Sequence, residues 1–269
     1  MVMKIKTSVL ILLCLALTGK LQAFEADTAG GSQLPGPFRV LPTPRKVEIL
    51  PGGGLSPEQL RTVVAGEGVT RPVMGAFLNP LPYGAFEEDG ALTLKLSTAS
   101  NIPESVEGYI LTVQGGSASV EARDQAGLFY GCQTLEQLLE DSRAACAPVP
   151  ACRITDYPEM SYRAVQIDVK HHLDNMNTYY ESIDRLARYK INAVVFEFED
   201  KLRYRRQPLV GAPQAISIEE MAALTRYARK RNIEITPLVQ GLGHASYILK
   251  HQQYAHLREL EDNLSLIHI

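Results

Sequence analysis

From residue 164 onward the sequence repeats one pattern, a short and mostly apolar run followed by an amphipathic stretch, and this alternation constrains the fold more than any other feature. The apolar runs fall at 164–169, 193–198 and 233–239. Between them, 178–190 places Ile183, Leu186 and Ala187 on one side of a helix, and 218–230 opens with Ser217 and, three positions on, Glu220. That pair is a capping box, in which each side chain satisfies a backbone N–H that the first helical turn leaves unpaired. Strands alternating with helices pair in parallel, and near-continuous apolar strands fit burial on both faces. The strands begin roughly 30 to 40 residues apart, a spacing that suits a (β/α)8 barrel of about 250 residues. Three such units are present, so the expected fold class is α/β, a partial (β/α)8 TIM barrel. A doubly wound open sheet has the same rhythm, and sequence alone does not separate the two.

The preceding part reads differently. Residues 92–96 (Leu-Thr-Leu-Lys-Leu) alternate like a half-buried strand. Residues 107–113 do the same, Gly115-Gly116 makes a turn, and 117–122 returns as the second strand of a hairpin. Asp124 can cap a helix over 125–140 whose Leu128, Leu135, Leu138 and Leu139 fall near one face. Pro42, Pro44 and Pro51-Gly52-Gly53-Gly54 punctuate short extended pieces before it. This is a small α+β domain, a sheet with a helix laid on it, expected over 38–150. Ala147-Pro148-Val149-Pro150 and Asp156-Tyr157-Pro158 mark the passage to the barrel segment at 156–263.

The first 23 residues are read as an export signal rather than as fold. Lys4 and Lys6 precede an apolar run from Val9 to Leu17, and Leu21-Gln22-Ala23 fits a signal-peptidase site. The run is well short of the ~20 residues that span a bilayer, so a periplasmic or secreted protein with no membrane attachment after cleavage is expected. Export would remove Cys14 and leave Cys132, Cys146 and Cys152, an odd number. A Cys146–Cys152 disulfide would suit an oxidising compartment; three buried free thiols are the alternative. With 27 Lys+Arg against 30 Asp+Glu the chain has no basic excess, which argues against a nucleic-acid partner.

Functional residues of parallel α/β proteins gather at the carboxyl ends of the strands. All three runs end in polar groups: Asp168 and Lys170-His171-His172 after the first, Glu197, Glu199 and Asp200 at the second, Gln240 through His244 after the third. Carboxylates and a histidine at one end suit acid/base or hydrogen-bonding work on a polar substrate. Rival motifs fail. Gly241-Leu242-Gly243 follows a third strand and has Ser246 where a dinucleotide loop needs glycine. HExxH and GxSxG are absent, and the histidines show no metal-ligand spacing. No metal and no cofactor are expected.

These residues resemble the family-20 glycoside hydrolases, the β-N-acetylhexosaminidases. Asp156-Tyr157-Pro158, Tyr162-Arg163-Ala164 and Ile167-Asp168-Val169 look like that family's barrel entry; Lys190-Ile191-Asn192 looks like its Y-K-l-N stretch. Residues 227–233 and Gly243-His244-Ala245 are similar to its third-strand region, and 126–135 resembles the last helix of the α+β domain before such barrels. Two departures stand out. The second strand often ends H-l-T-D-D-Q-G-W-R, whereas here it reads Glu197-Phe198-Glu199-Asp200-Lys201-Leu202-Arg203-Tyr204-Arg205, similar to the hexosaminidase D-like branch, and the chain has no tryptophan. The usual Arg-His of the first strand is Lys170-His171.

The resemblance implies an exo-acting enzyme that releases terminal GlcNAc or GalNAc from glycans by a substrate-assisted, retaining mechanism, the exception to two-carboxylate glycosidases. It implies that Arg163 hydrogen-bonds the hydroxyls of the terminal sugar, and that Asp200 and His244 form a polar chain supporting a catalytic Glu. The Asp-Glu pair of the family's H-x-G-G-D-E stretch has no counterpart here. The chain is therefore expected to be a front portion, inactive by itself, with 264–269 a non-native tail. A satisfied core histidine is the plainer expectation for His244, and a carboxylate bonded to backbone amides for Asp168. Alternatives in function are a non-catalytic carbohydrate-binding protein on the same scaffold, or a barrel glycosidase using two protein carboxylates.

Overall fold

The computed structural model describes residues 33–84, 89–170, 172–241 and 243–261. The expected export signal, the tail 264–269 and His171 lie outside them. Among the described residues no helix is long and apolar enough to cross a membrane.

The first sheet contains β1 (Lys46–Ile49), β2 (Thr62–Ala65), β3 (Tyr83–Gly84), β4 (Ala91–Leu96), β5 (Tyr109–Gln114), β6 (Ser117–Ala122) and β7 (Cys152–Asp156), in the order β1-β7-β5-β6-β4-β2-β3. β5 and β6 form the expected hairpin, antiparallel from Tyr109↔Ala122 to Gln114↔Ser117. Gly115 and Gly116 close it at φ of 60° and 77°, where a side chain would strain the turn. β7 is a strand where the sequence suggests a passage between two domains. Buried Cys152 and Ile154 alternate with exposed Arg153, and the strand lies between β1 and β5, antiparallel to both. The first sheet therefore runs to Asp156.

Helix α1 (Gln125–Ala145) begins where the Asp124 carboxylate accepts the Gly127 N–H at 2.7 Å. It continues past Glu140, where polar residues suggest its end, and stops at Cys146 in the left-handed region, φ 51°. Two glycines let it lie close on the sheet. A Cβ on Gly131 would come within 2.3 Å of Val120 Cγ1, and one on Gly127 within 2.4 Å of the Gly108 carbonyl oxygen. The other side of α1 is also covered, which explains why Gln133, Thr134, Glu136, Gln137 and Ser142 are buried. Glu136 accepts the Leu78 and Phe77 N–H groups at 2.9 and 3.2 Å, so burial of its carboxylate is met by two donors.

The second sheet is parallel, with β8 (Ala164–Asp168), β9 (Ala193–Glu197) and β10 (Glu234–Leu238) in the order β10-β9-β8. Helix α2 (Met176–Arg188) links the first two strands, and α3 (Ile218–Arg229) links the second to the third. Both have the caps that favour a start at these points: Asn175 accepts the Thr178 N–H, and Ser217 with Glu220 forms the expected capping box. Val194 and Phe196 of β9 join Tyr179, Ile183 and Ala187 of α2 and Leu224 and Ala228 of α3 in the core. The Tyr179 and Phe196 rings meet edge to face at 5.4 Å. Burying a side chain such as Phe196 contributes about 1.5–3 kcal/mol. The two helices thus share one face. Residues in register alternate, so Gln166, Val195 and Thr236, and then Asp168, Glu197 and Leu238, look the other way. Pro237 has no N–H to give, and β10 has its second edge free, where proline is tolerated.

A polar seam joins the halves. Lys190, buried with its backbone at φ 60°, reaches Asp156 Oδ2 and Tyr109 Oη, each at 2.8 Å, and Tyr109 Oη lies 2.6 Å from Thr134 Oγ1. Gln137 of α1 donates to the carbonyls of Leu41 and Arg188 at 2.9 and 3.1 Å.

Candidate functional site

The carboxyl ends of β8, β9 and β10 meet at Glu197. Its side chain is 2% exposed and accepts three hydrogen bonds, all from the flanking strands and their extensions: Gln166 Nε2 of β8 at 2.5 Å, Lys170 Nζ just beyond β8 at 3.1 Å, and Gln240 Nε2 just beyond β10 at 2.6 Å. The Gln240 amide does most to hold the Glu197 carboxyl below the usual carboxylate range; desolvation opposes it, and Lys170 adds to the lowering. Lys170 also bridges to Asp168 Oδ2 at 3.2 Å. The hydrogen bonds to Glu197, then Asp168, push its ammonium pKa up. Asp168 accepts the Lys170 backbone N–H at 2.9 Å as well, the backbone-bonded arrangement that is the plainer expectation for it.

The loop after β9 turns sharply at Glu199, φ 45°, and the Tyr204 hydroxyl holds the turn by donating to the Glu199 carbonyl at 2.8 Å. Burial pushes the Tyr204 hydroxyl up to about 12. Asp200 follows, 15% exposed, between the ammonium groups of Lys201 and Lys250, the latter at 2.9 Å. Burial alone would raise its pKa; the two lysines outweigh that and bring it below the ordinary aspartate value. On the loop after β10, Tyr247 Oη donates to the Gln240 carbonyl at 2.8 Å, which fixes the peptide carrying the amide that serves Glu197.

Asp200 and His244 both follow carboxyl ends of parallel strands, so they share one end of the sheet. No hydrogen bond joins them among the described residues. Two ammonium groups occupy the Asp200 carboxylate, and His244 is exposed, so it is not a core histidine.

Arg163 stands apart from this cluster. It precedes β8 and therefore stands at the amino end, away from the cluster. Each of its three guanidinium nitrogens donates: Nη2 to Glu107 Oε2 at 2.5 Å, Nε to the Lys190 carbonyl and Nη1 to the Met160 carbonyl, each at 2.7 Å. Asn192 backs the same contact, its amide donating to Glu107 Oε1 at 3.1 Å. Arg163 ties the parallel segment to the first domain and does not face the strand ends that would meet a sugar. Conversely, nothing in the sequence singles out Gln166. Only the strand register, which places it one step from Glu197 on the same face, brings it in.

Comparison with known proteins gives this arrangement a context. The model of glycosyl hydrolase family 20, domain 2, matches residues 38–157, carrying through β7 as the sheet pairing requires. A beta-hexosaminidase of Porphyromonas gingivalis is 29% identical over 182 residues, 59% of this chain and 23% of that protein. Beta-N-acetylhexosaminidase of Cellulomonas fimi is 26% identical over 177 residues, 60% of this chain and 36% of that protein. Among solved structures, the family-20 beta-N-acetylhexosaminidase of Streptomyces coelicolor A3(2) superposes with a TM-score of 0.66 at 26% identity, over 85% of this chain and 51% of that one. The match thus spans about a quarter to a third of these two relatives and half of the solved structure.

Fold and these likenesses describe a chain of mixed α/β build that resembles part of the family-20 glycoside hydrolases. More particularly, residues 38–157 are similar to domain 2 of glycosyl hydrolase family 20, and the chain as a whole is similar to proteins of that family.

Proposed function

We propose that the whole protein is an exo-β-N-acetylhexosaminidase, exported to the periplasm or beyond the cell, that removes terminal N-acetyl-β-hexosamines from glycans. The family-20 match, shared with relatives named as hexosaminidases, carries this reading. The parallel segment is proposed to be the first three strands of a (β/α)8 barrel, because the strands lie in chain order with both linking helices on one face. Among the described residues that leaves the β8 and β10 edges for further strands. The Glu197–Asp200 strand end favours the hexosaminidase D-like branch, as does a stretch 37% identical over 70 residues to hexosaminidase D of Bos taurus.

In the proposed chemistry the substrate's acetamido carbonyl oxygen bonds to the anomeric carbon as the glycosidic bond breaks, and a protein acid protonates the leaving oxygen. Water then opens the oxazolinium ring with inversion at that carbon, so configuration is retained overall. The tethered amide oxygen reacts at high effective molarity. His244 stands on the loop after the edge strand β10, next to where a fourth strand would pair, and Asp200 on the loop after β9 at the same end of the sheet; in this reading both support an acid supplied from that strand.

The test is hydrolysis of 4-nitrophenyl N-acetyl-β-glucosaminide and -galactosaminide by the protein with its complete barrel. Turnover that disappears when the acetamido group is replaced by hydroxyl is expected. Intact substrates, or turnover indifferent to that group, would refute the reading. Sugar binding without turnover would favour a carbohydrate-binding protein.

A further inference from the structure

The Glu197 cluster has more order than a solvated strand end requires. A buried carboxylate can accept about four hydrogen bonds, and Glu197 takes three, from side chains that converge from β8, the segment after β8, and the segment after β10. Two of the three are neutral amides, themselves oriented: Gln240 by the Tyr247 hydroxyl on its carbonyl, Gln166 by its place on the strand. The third is the Lys170 ammonium, which has three N–H donors. Glu197 and Asp168 engage two, at 3.1 and 3.2 Å, and among the described residues nothing engages the third. The Lys170 side chain is 20% exposed, against 2% for Glu197. The exposed end of this buried pair is therefore a positioned cation with one donor unengaged among the described residues, on the sheet face opposite the helices.

We infer that Glu197 is a positioning residue: it aims the Lys170 ammonium so that its free N–H donates to a ring hydroxyl of the terminal sugar. This deepens the proposed function and rests on it. Lysine alone is a poor determinant of geometry, because its charge sits on a flexible four-carbon stem. Anchoring by two carboxylates from adjacent strands removes that freedom before substrate arrives, which lowers the cost of ordering the contact on binding. A bond to a non-reacting hydroxyl is made alike in ground and transition states, so its loss raises KM and leaves kcat nearly unchanged.

The experiment compares Glu197→Gln, Lys170→Met and the double variant in the protein with its complete barrel, using 4-nitrophenyl N-acetyl-β-glucosaminide. Each single change is expected to raise KM about tenfold, the loss of one charge-assisted hydrogen bond, with kcat within about twofold. The double variant is expected to match Lys170→Met instead of multiplying the effects, because Glu197 acts through Lys170. An additive double variant, a fall in kcat at unchanged KM, or a loss of thermal stability with normal KM would each overturn the proposal and leave Glu197 a structural staple. If Glu197→Gln does not fold, Glu197→Asp withdraws the carboxylate by one methylene and takes its place. If the unaltered protein cleaves no N-acetyl-hexosaminide, the proposed activity fails by itself. The same variants titrated with methyl N-acetyl-β-glucosaminide by NMR then decide the Glu197 inference by the same test of additivity.

Discussion

Replacing Asp156 with asparagine tests the seam between the two sheets. The carboxylate lies 2.8 Å from Lys190 Nζ, with side-chain exposures of 11% and 8%. At an effective dielectric constant near 20 the gross attraction at this distance is about 6 kcal/mol. Desolvation offsets much of it, but breaking one partner of a buried pair costs about 3–5 kcal/mol, because the survivor is left uncompensated. Proton loss from the lysine caps the penalty. Burial already pulls the Lys190 ammonium pKa down, against the opposing pull of Asp156; without Asp156 it falls further and the amine can shed its proton. Deprotonating a lysine of ordinary pKa 10.4 at pH 7 takes about 4.6 kcal/mol, so the destabilisation at pH 7 is expected at about 3–4.5 kcal/mol. A folded-state pKa below the unfolded one means that the folded state binds fewer protons, so stability is lost as pH falls through the folded value and regained as pH rises toward 10.4. Urea unfolding followed by far-UV circular dichroism at pH 7 and pH 9 should therefore show a smaller deficit at pH 9. Adding Lys190→Met should recover part of it. A deficit under about 1 kcal/mol, or one that grows at pH 9, would refute the reasoning.

Three further outcomes are expected from contacts elsewhere in the molecule. Arg163→Ala should destabilise the fold by about 1–3 kcal/mol by urea unfolding, since the half-buried Glu107 carboxylate keeps the Asn192 amide as its remaining side-chain donor among the described residues; an effect under about 0.5 kcal/mol would refute the tie. Gly131→Ala should cost about 1–2 kcal/mol by chemical denaturation, because the new methyl overlaps Val120 and overpacking outweighs the gain in helix propensity. Iodoacetamide should label Cys146 in the native protein, and Cys132 and Cys152 only after denaturation, as read by peptide mapping. Cys146 is exposed, while burial drives the Cys132 thiol far up and the Cys152 thiol up to about 11.

Elements governed by local chemistry are legible in the sequence. Asp124, Ser217 and Glu220 announce helix starts that the structure keeps, and Gly115-Gly116 announces the hairpin. The β/α rhythm places the three parallel strands within about two residues, the usual margin for boundaries. Features that depend on distant partners are not legible. β7 is recognisable only once β1, about a hundred residues earlier, is beside it. The end of α1 escapes a local reading because residues 141–145 are polar or small and, apart from Ser142, half-buried or exposed, so no apolar pattern marks the last turn. At the site, polar strand ends draw attention to Glu197, Asp200 and His244, but which donors each carboxylate holds is a matter of register. Asp200 holds lysines, and Glu197 holds the three strands' neighbours together. Arg163 illustrates the reverse error: a family-like motif suggests a ligand contact, while its place before the strand commits it to Glu107.

Helix α1 has one side on the β4–β6 sheet and the other toward α2. A chain made from its amino end therefore completes a platform before the first parallel strand has left the ribosome. Gln137 and Thr134 already line that platform, and Asp156 joins it as β7 closes the sheet. The Arg188 carbonyl then finds the Gln137 amide, and the Lys190 ammonium finds Tyr109 and Asp156, in place when α2 folds. The parallel strands, whose pairing is less local than a hairpin's, thus have α1 of the leading domain beside α2 as a surface to pack on.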